Sequence, residues 1–167
     1  MRVTGHSLLV VPLPGLLSVM PPLARDATVP HVPLAEPFAD VDTIDEGVLG
    51  ELRSYFADVV PFPVRVSEVS QFPGGSAYLA PEPAAPFRHL TQGLARLFPE
   101  LPRPRGTFDL VPHVNVEVGP GEDIERLRAD LHPWLPVATL AREAALWLRK
   151  EGGVRVLATF PFGTSAA

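Results

Sequence analysis

Pro30-His31-Val32-Pro33-Leu34-Ala35-Glu36 returns later in the chain as Pro112-His113-Val114-Asn115-Val116-Glu117-Val118. In each copy a His follows a Pro directly and opens an alternating apolar stretch. Side chains at i, i+2 and i+4 of a strand share a face. The second copy therefore sets His113, Asn115 and Glu117 on one face and Val114, Val116 and Val118 on the other. The first sets His31, Pro33 and Ala35 against Val32 and Leu34. The preceding Pro keeps each entry extended. The histidines stand 113 − 31 = 82 positions apart in 167 residues, about half the chain. Two matched strands at that spacing predict two lobes, each offering one imidazole to a shared cleft. Imidazole holds or releases a proton near neutral pH, so such a pair suits acid–base chemistry.

The rest of the chain supplies elements around this pair. Ser7–Val11 is an apolar run that reads as a first strand, and Gly15–Thr28 as a loop or irregular helix. Thr43–Val59 carries Ile44, Val48, Leu49, Leu52, Tyr55, Phe56 and Val59 at helical spacing, with Thr43 and Glu46 forming a capping box. Val64–Phe72 alternates as a strand, turns at Gly74-Gly75 and returns through Ala77–Leu79. Pro86–Phe98 presents Phe87, Leu90, Leu94, Leu97 and Phe98 on one helical face, and Leu101–Gly106 is a loop. Leu110–Val118 is the second histidine strand, and Asp123–Leu131 a helix. Val137–Leu148 has helical composition, but the Glu151-Gly152-Gly153 turn and the Val154–Phe160 run behind it favour a hairpin. The sum is one two-lobed α+β domain over residues 1–167, with mostly antiparallel sheets and three main helices outside them.

Composition narrows the chemistry. There is no Cys, which excludes disulfides, thiol catalysis and Cys-based zinc sites. The formal charge is −5, and Lys150 is the sole Lys, so a broad footprint for duplex nucleic acid is not expected; a small phosphorylated ligand is compatible with the sequence. The segment Ser7–Leu17 is interrupted by Pro12 and Pro14, too short to span a membrane and without a basic flank, so a cytoplasmic setting with no membrane partner is expected. No HxH or HExxH spacing calls for a metal, and no G-x-S-x-G turn for a serine nucleophile. No cofactor is called for, and the oligomeric state is not fixed by the sequence. Arg103 and Arg105 read as a solvated loop, and His6, His89 and His132 as surface residues. Phe38, Phe160, Phe162, Trp134 and Trp147 read as core. Tyr78 reads equally as core or cleft.

These residues resemble the two-histidine (2H) phosphoesterase superfamily, in particular its 2′-5′ RNA ligase-like proteins of actinobacterial type. The likeness runs in order through Ser7–Pro14, His31–Phe38, Phe72-Pro73, Tyr78–Pro83 with Pro86-Phe87-Arg88, the second motif and Phe160–Gly163. It implies a pseudo-twofold fold whose sheets line a central cleft. It implies further that His31 and His113 are the catalytic pair, one as general base and one as general acid. Asn115, Pro33 and Tyr78 would lie at the substrate. The family motif is His-x-Thr/Ser, its hydroxyls donating to phosphate. Here the chain departs: Pro33 has no donor, whereas Asn115 still offers an amide. A hydrogen bond to a charged group contributes roughly 1.5–3 kcal/mol, so half of the phosphate clamp is missing. The resemblance implies hydrolysis or transfer of a small cyclic phosphate or nucleotide-like phosphodiester without metal. Two other readings stay open: the same fold turned to cyclisation or isomerisation of a non-phosphate substrate in a biosynthetic pathway, or a non-catalytic binding module.

Overall fold

In the computed structural model, which describes residues 5–19, 29–101, 111–116 and 123–163, the apolar first run becomes β1 (Gly5–Pro12). Leu8, Leu9, Val10 and Val11 are all fully buried, as a central strand covered on both faces requires. A short helix α1 (Gly15–Val19) follows, and the rest of Gly15–Thr28 lies outside the described residues. The first histidine opens β2 (His31–Ala35). Helix α2 (Glu46–Ala57) is capped by Asp45, whose carboxylate accepts from the Val48 N–H at 2.9 Å. The Thr43–Glu46 box does not form. Thr43 instead closes a 3-10 turn at Val41–Thr43, its hydroxyl donating to the Asp40 carbonyl at 2.6 Å.

β3 (Phe62–Gln71) and β4 (Ala77–Glu82) form the hairpin that the Gly74-Gly75 turn predicts. Helix α3 (Ala85–Leu97) carries Pro86 in its first turn and buries Phe87, Leu90 and Leu94. The second motif yields β5 (Val114–Val116), shorter than expected: Val111–His113 enter it without pairing, and Leu110, Glu117 and Val118 lie outside the described residues. Helix α4 (Ile124–Leu131) is capped by Asp123 and buries Leu127 and Leu131. The ambiguous stretch is extended, as its Gly-Gly turn argued, but it is two strands. β6 (Val137–Ala141) and β7 (Glu143–Lys150) are separated by Arg142 alone, and β7 forms the hairpin with β8 (Gly153–Pro161).

Two four-stranded antiparallel sheets result, in the orders β2-β1-β7-β8 and β5-β4-β3-β6. They are the two lobes, each built the same way: a histidine strand at the edge, paired to an apolar partner. The lobes are not consecutive halves of the chain, because β7 and β8 return to the first sheet after the second is complete. The edge strands β2 and β5 lie side by side at the junction. Edge placement also explains Pro33 inside a strand, since an edge tolerates a missing N–H.

One apolar core runs through both lobes beneath the helices, joining Val32 and Leu34 of β2, Val114 of β5, Leu79, Phe56, Phe87 and Phe160. Phe56 stacks on Phe160 at 5.7 Å and on Phe162 at 6.0 Å. Deleting such a buried ring costs about 3–5 kcal/mol. Gly163 ends this stretch where a Cβ would collide with the Ala57 carbonyl, so the last strand passes α2 only because no side chain intervenes. Phe38, Phe160 and Phe162 are thus core, as read from sequence. Trp134 is not: it stands 42% exposed in a 3-10 turn at His132–Trp134, because Pro133 ends α4 before the ring can fold under it. No helix among the described residues is long and apolar enough to cross a membrane.

Candidate functional site

Both motif histidines are buried, His31 to 8% and His113 to 5% exposure, although His31 opens one edge strand and His113 directly precedes the other. Each ring is fixed in the same way. His31 Nδ1 lies 2.9 Å from the Val29 carbonyl and His113 Nδ1 2.7 Å from the Val111 carbonyl, two residues upstream in both cases. A carbonyl only accepts, so Nδ1 is the N–H in both rings and Nε2 is the atom left to exchange a proton. The extended Val-Pro-His backbone makes this possible, because it brings the i−2 carbonyl beneath the ring. His31 Nε2 is buried and makes no hydrogen bond among the described residues.

Aromatic rings support both imidazoles. His31 meets Trp147 of β7 edge-on, centroids 4.6 Å apart at 65°. His113 meets Phe72 at 5.3 Å and 89° and Tyr78 of β4 at 6.2 Å and 77°. Phe72 and Tyr78 stack on one another at 4.2 Å. The strand register explains the grouping. Pro33 pairs with Val10, which pairs with Ala145, and Leu8 pairs with Trp147, so His31, Pro33 and Trp147 share the sheet face opposite the main core. Leu8, Val10, Ala145 and Trp147 form a small second apolar cluster there. In the other lobe Asn115 pairs with Tyr78, and the burial of Val114 toward the core turns Asn115 outward to the face of His113. Asn115 is exposed, Tyr78 half-buried. Tyr78 therefore stands half-buried beside the His113 ring and not in the core. Trp147, read from sequence as core alone, is also the ring beneath His31; its signal is its parity with Ala145 on β7.

Electrostatics distinguish His31. Burial, the largest influence, holds its imidazole below the ordinary value of 6.5. The bond to the Val29 carbonyl opposes that shift, Arg149 adds to it, Glu36 opposes it, and the charge of His113 adds to it. His113 thus reaches His31 electrostatically, as neighbours at β2 and β5 should. Arg149 Nε lies 3.3 Å from Glu36 Oε1, an ion pair without an aligned hydrogen bond, and His6 Nε2 donates to the same oxygen at 2.9 Å. His6 and His89 are exposed, as expected, and His132 likewise. Arg103, Arg105 and Glu117 lie outside the described residues. Among the described residues no three His, Asp or Glu side chains are grouped to hold a metal ion.

Pro33 does not only stand where a hydroxyl was expected. It forms one wall of a cavity of about 190 Å³, with Val111 and Pro112 entering β5 and Phe87, Arg88, Thr91 and Gln92 of α3 as the others. A β-bulge at Leu34 shapes this region: Leu9 pairs with Ala35 and Val10 with Pro33, leaving Leu34 over. The Leu34 carbonyl accepts from the Thr91 hydroxyl at 3.0 Å, which seats α3 against β2.

Two four-stranded antiparallel sheets, one with a buried histidine opening its edge strand and the other with a buried histidine leading into its edge strand, give the arrangement of the two-histidine phosphoesterase folds. The chain belongs to the 2′-5′ RNA ligase superfamily, whose family model matches residues 19–153. Among solved structures it is similar to TT0787 of Thermus thermophilus, with a TM-score of 0.63 at 17% identity, covering 96% of this chain and 99% of that one. It is also similar to E. coli LigT complexed with 3′-AMP, with a TM-score of 0.57 at 12% identity and the same coverage of 96% and 99%. No curated protein matches the chain.

Proposed function

We propose that this protein is a 2H-type acid–base enzyme that opens or transfers a small cyclic phosphate or nucleotide-like phosphodiester in the cleft between its lobes, using His31 and His113. The observation that supports it most is the duplicated Nδ1–H···O=C anchor, which leaves Nε2 of each ring as the proton-exchanging atom. His31 is the general base. Its depressed pKa keeps it neutral at pH 7, so Nε2 accepts a proton from water or a ribose hydroxyl as oxygen attacks phosphorus. His113 is the general acid and gives its Nε2 proton to the departing oxygen. The product phosphate then leaves with the proton inventory of the pair exchanged, His31 charged and His113 neutral, and solvent restores it. Asn115 donates to a phosphoryl oxygen, and Tyr78 forms the wall beside His113. The bound 3′-AMP of LigT is consistent with a nucleotide-like ligand. The site supplies all these groups from its own side chains, without a cofactor, in a cytoplasmic setting.

Steady-state assays on 2′,3′-cyclic nucleotides test the reading. Turnover lost on replacing either histidine supports it, and no turnover by the wild type overturns it. A second reading is favoured by one observation: Pro33 presents a ring without a donor where phosphate would need one. The same two imidazoles then serve a cyclisation or isomerisation of a substrate without phosphate. Failure to bind cyclic nucleotides at all would favour that reading.

A further inference from the structure

We infer that the cavity between β2, α3 and the entry to β5 is a subsite for a second phosphate group on the substrate, a phosphate monoester tethered to the reacting diester, with Arg88 as its anchor. The inference rests on the phosphodiester reading above. It starts from position. Neither histidine lines the cavity, yet its wall residue Pro33 is two residues beyond His31, and Pro112 directly precedes His113. A group seated there is next to the reacting centre, not at it. The chemistry of the walls selects the group. The Arg88 side chain makes no hydrogen bond or ion pair among the described residues, so its guanidinium is open to a ligand. Gln92 stands one turn on, at i+4, and adds an amide donor on the same side of α3. Thr91, bonded to the Leu34 carbonyl, fixes the helix so that both donors overhang the cavity, and the buried Phe87 closes its base. A planar fork of donors matches phosphate oxygens in pairs, and an open one favours an anion over a neutral base.

The arrangement also accounts for the missing hydroxyl at Pro33. Binding energy from a remote, non-reacting group can be spent on orienting the reacting centre. A substrate held by a second phosphate depends less on the motif hydroxyls.

The test compares two substrates that differ only in that group: a 2′,3′-cyclic nucleotide with a 5′-hydroxyl and the same nucleotide with a 5′-phosphate. Wild-type kcat/KM should favour the phosphorylated one by about ten- to a hundredfold, the worth of a charge-assisted contact, with part of the difference in kcat. Arg88→Gln should collapse the ratio toward one, and Arg88→Lys should restore part of it. A ratio of one in the wild type, or an unchanged ratio in Arg88→Gln, overturns the inference. A calorimetric titration with 5′-AMP separates it from the phosphodiester reading. Binding should survive the His31→Ala/His113→Ala double variant and weaken at least about tenfold in Arg88→Gln. If neither cyclic nucleotide turns over but 5′-AMP binds through Arg88, the enzyme reading fails and the subsite stands. If both turn over equally and 5′-AMP binding ignores Arg88, the subsite fails and the enzyme reading stands. Arg88 is exposed, so an unchanged melting temperature is the expected control.

Discussion

β2 and β5 hold their histidines by the same backbone device and surround them differently. On β2, His31 leans on a single buried indole, and the residue two positions on is a half-buried proline at a cavity wall. At the entry to β5, His113 stands against the stacked pair Phe72 and Tyr78, and the residue two positions on is an exposed amide. What the two strands share is the carbonyl anchor on Nδ1 and the tautomer it sets. What they do not share is a side-chain donor two residues on: Asn115 carries an amide, and Pro33 carries none. The anchoring of the imidazole is thus separable from the donor that follows it. The first needs only a Pro-His entry into an edge strand, and the second depends on whichever side chain follows.

Breaking the shared part should have the largest effect. His31→Ala and His113→Ala should each lower kcat on a cyclic nucleotide by about 10²–10⁴-fold while the circular dichroism spectrum stays native. Breaking the unshared support comes next. Trp147→Ala should cost about 3–5 kcal/mol in urea unfolding, since the ring is only 4% exposed, and Tyr78→Ala clearly less, since it is half-buried. Equal losses would mean that the two lobes support their histidines alike. Making the strands more similar sharpens the comparison. Pro33→Thr and Asn115→Thr together should raise cyclic diester turnover by about tenfold through added donors, and a fall in turnover would show that Pro33 is needed as a cavity wall.

The smallest effect is electrostatic. In an NMR titration His31 should gain its proton below pH 6.5, and His113→Gln should move that midpoint upward by removing a like charge. The sign for stability follows. The folded state binds the proton less readily than the unfolded chain, so His31 adds nothing above pH 6.5 and costs stability as pH falls below it. His31→Gln should therefore flatten the acid side of the stability profile.

The repeated Pro-His strand made the two lobes and the candidate pair legible, because an edge strand with one buried face shows its parity in four residues. Phe38, Phe160 and Phe162 were legible as core from their apolar bulk alone. Three features were not. The return of β7 and β8 to the first sheet depends on a switch at Arg142, which no periodicity marks. The capping of α2 by Asp45 and not Thr43 turns on a small difference in where the 3-10 turn ends. The buried Ser7 reads as an ordinary strand residue. Its hydroxyl donates to the Ala39 carbonyl and accepts from the Ala39 N–H at 2.9 Å, pinning the exit of β2 to β1 across 32 residues of sequence. Trp147 at His31 and the cavity that Arg88 and Pro33 line together likewise bridge the fold, visible only once the strands are paired.

Kinetics of the single and double histidine variants on one 2′,3′-cyclic nucleotide test the central claim most directly, that His31 and His113 work as one acid–base pair on one substrate. Groups that act as a unit are grossly non-additive. His31→Ala/His113→Ala should therefore be no slower than the slower single variant. A double variant whose loss is the product of the two single losses, or single variants that keep full rate, would contradict it.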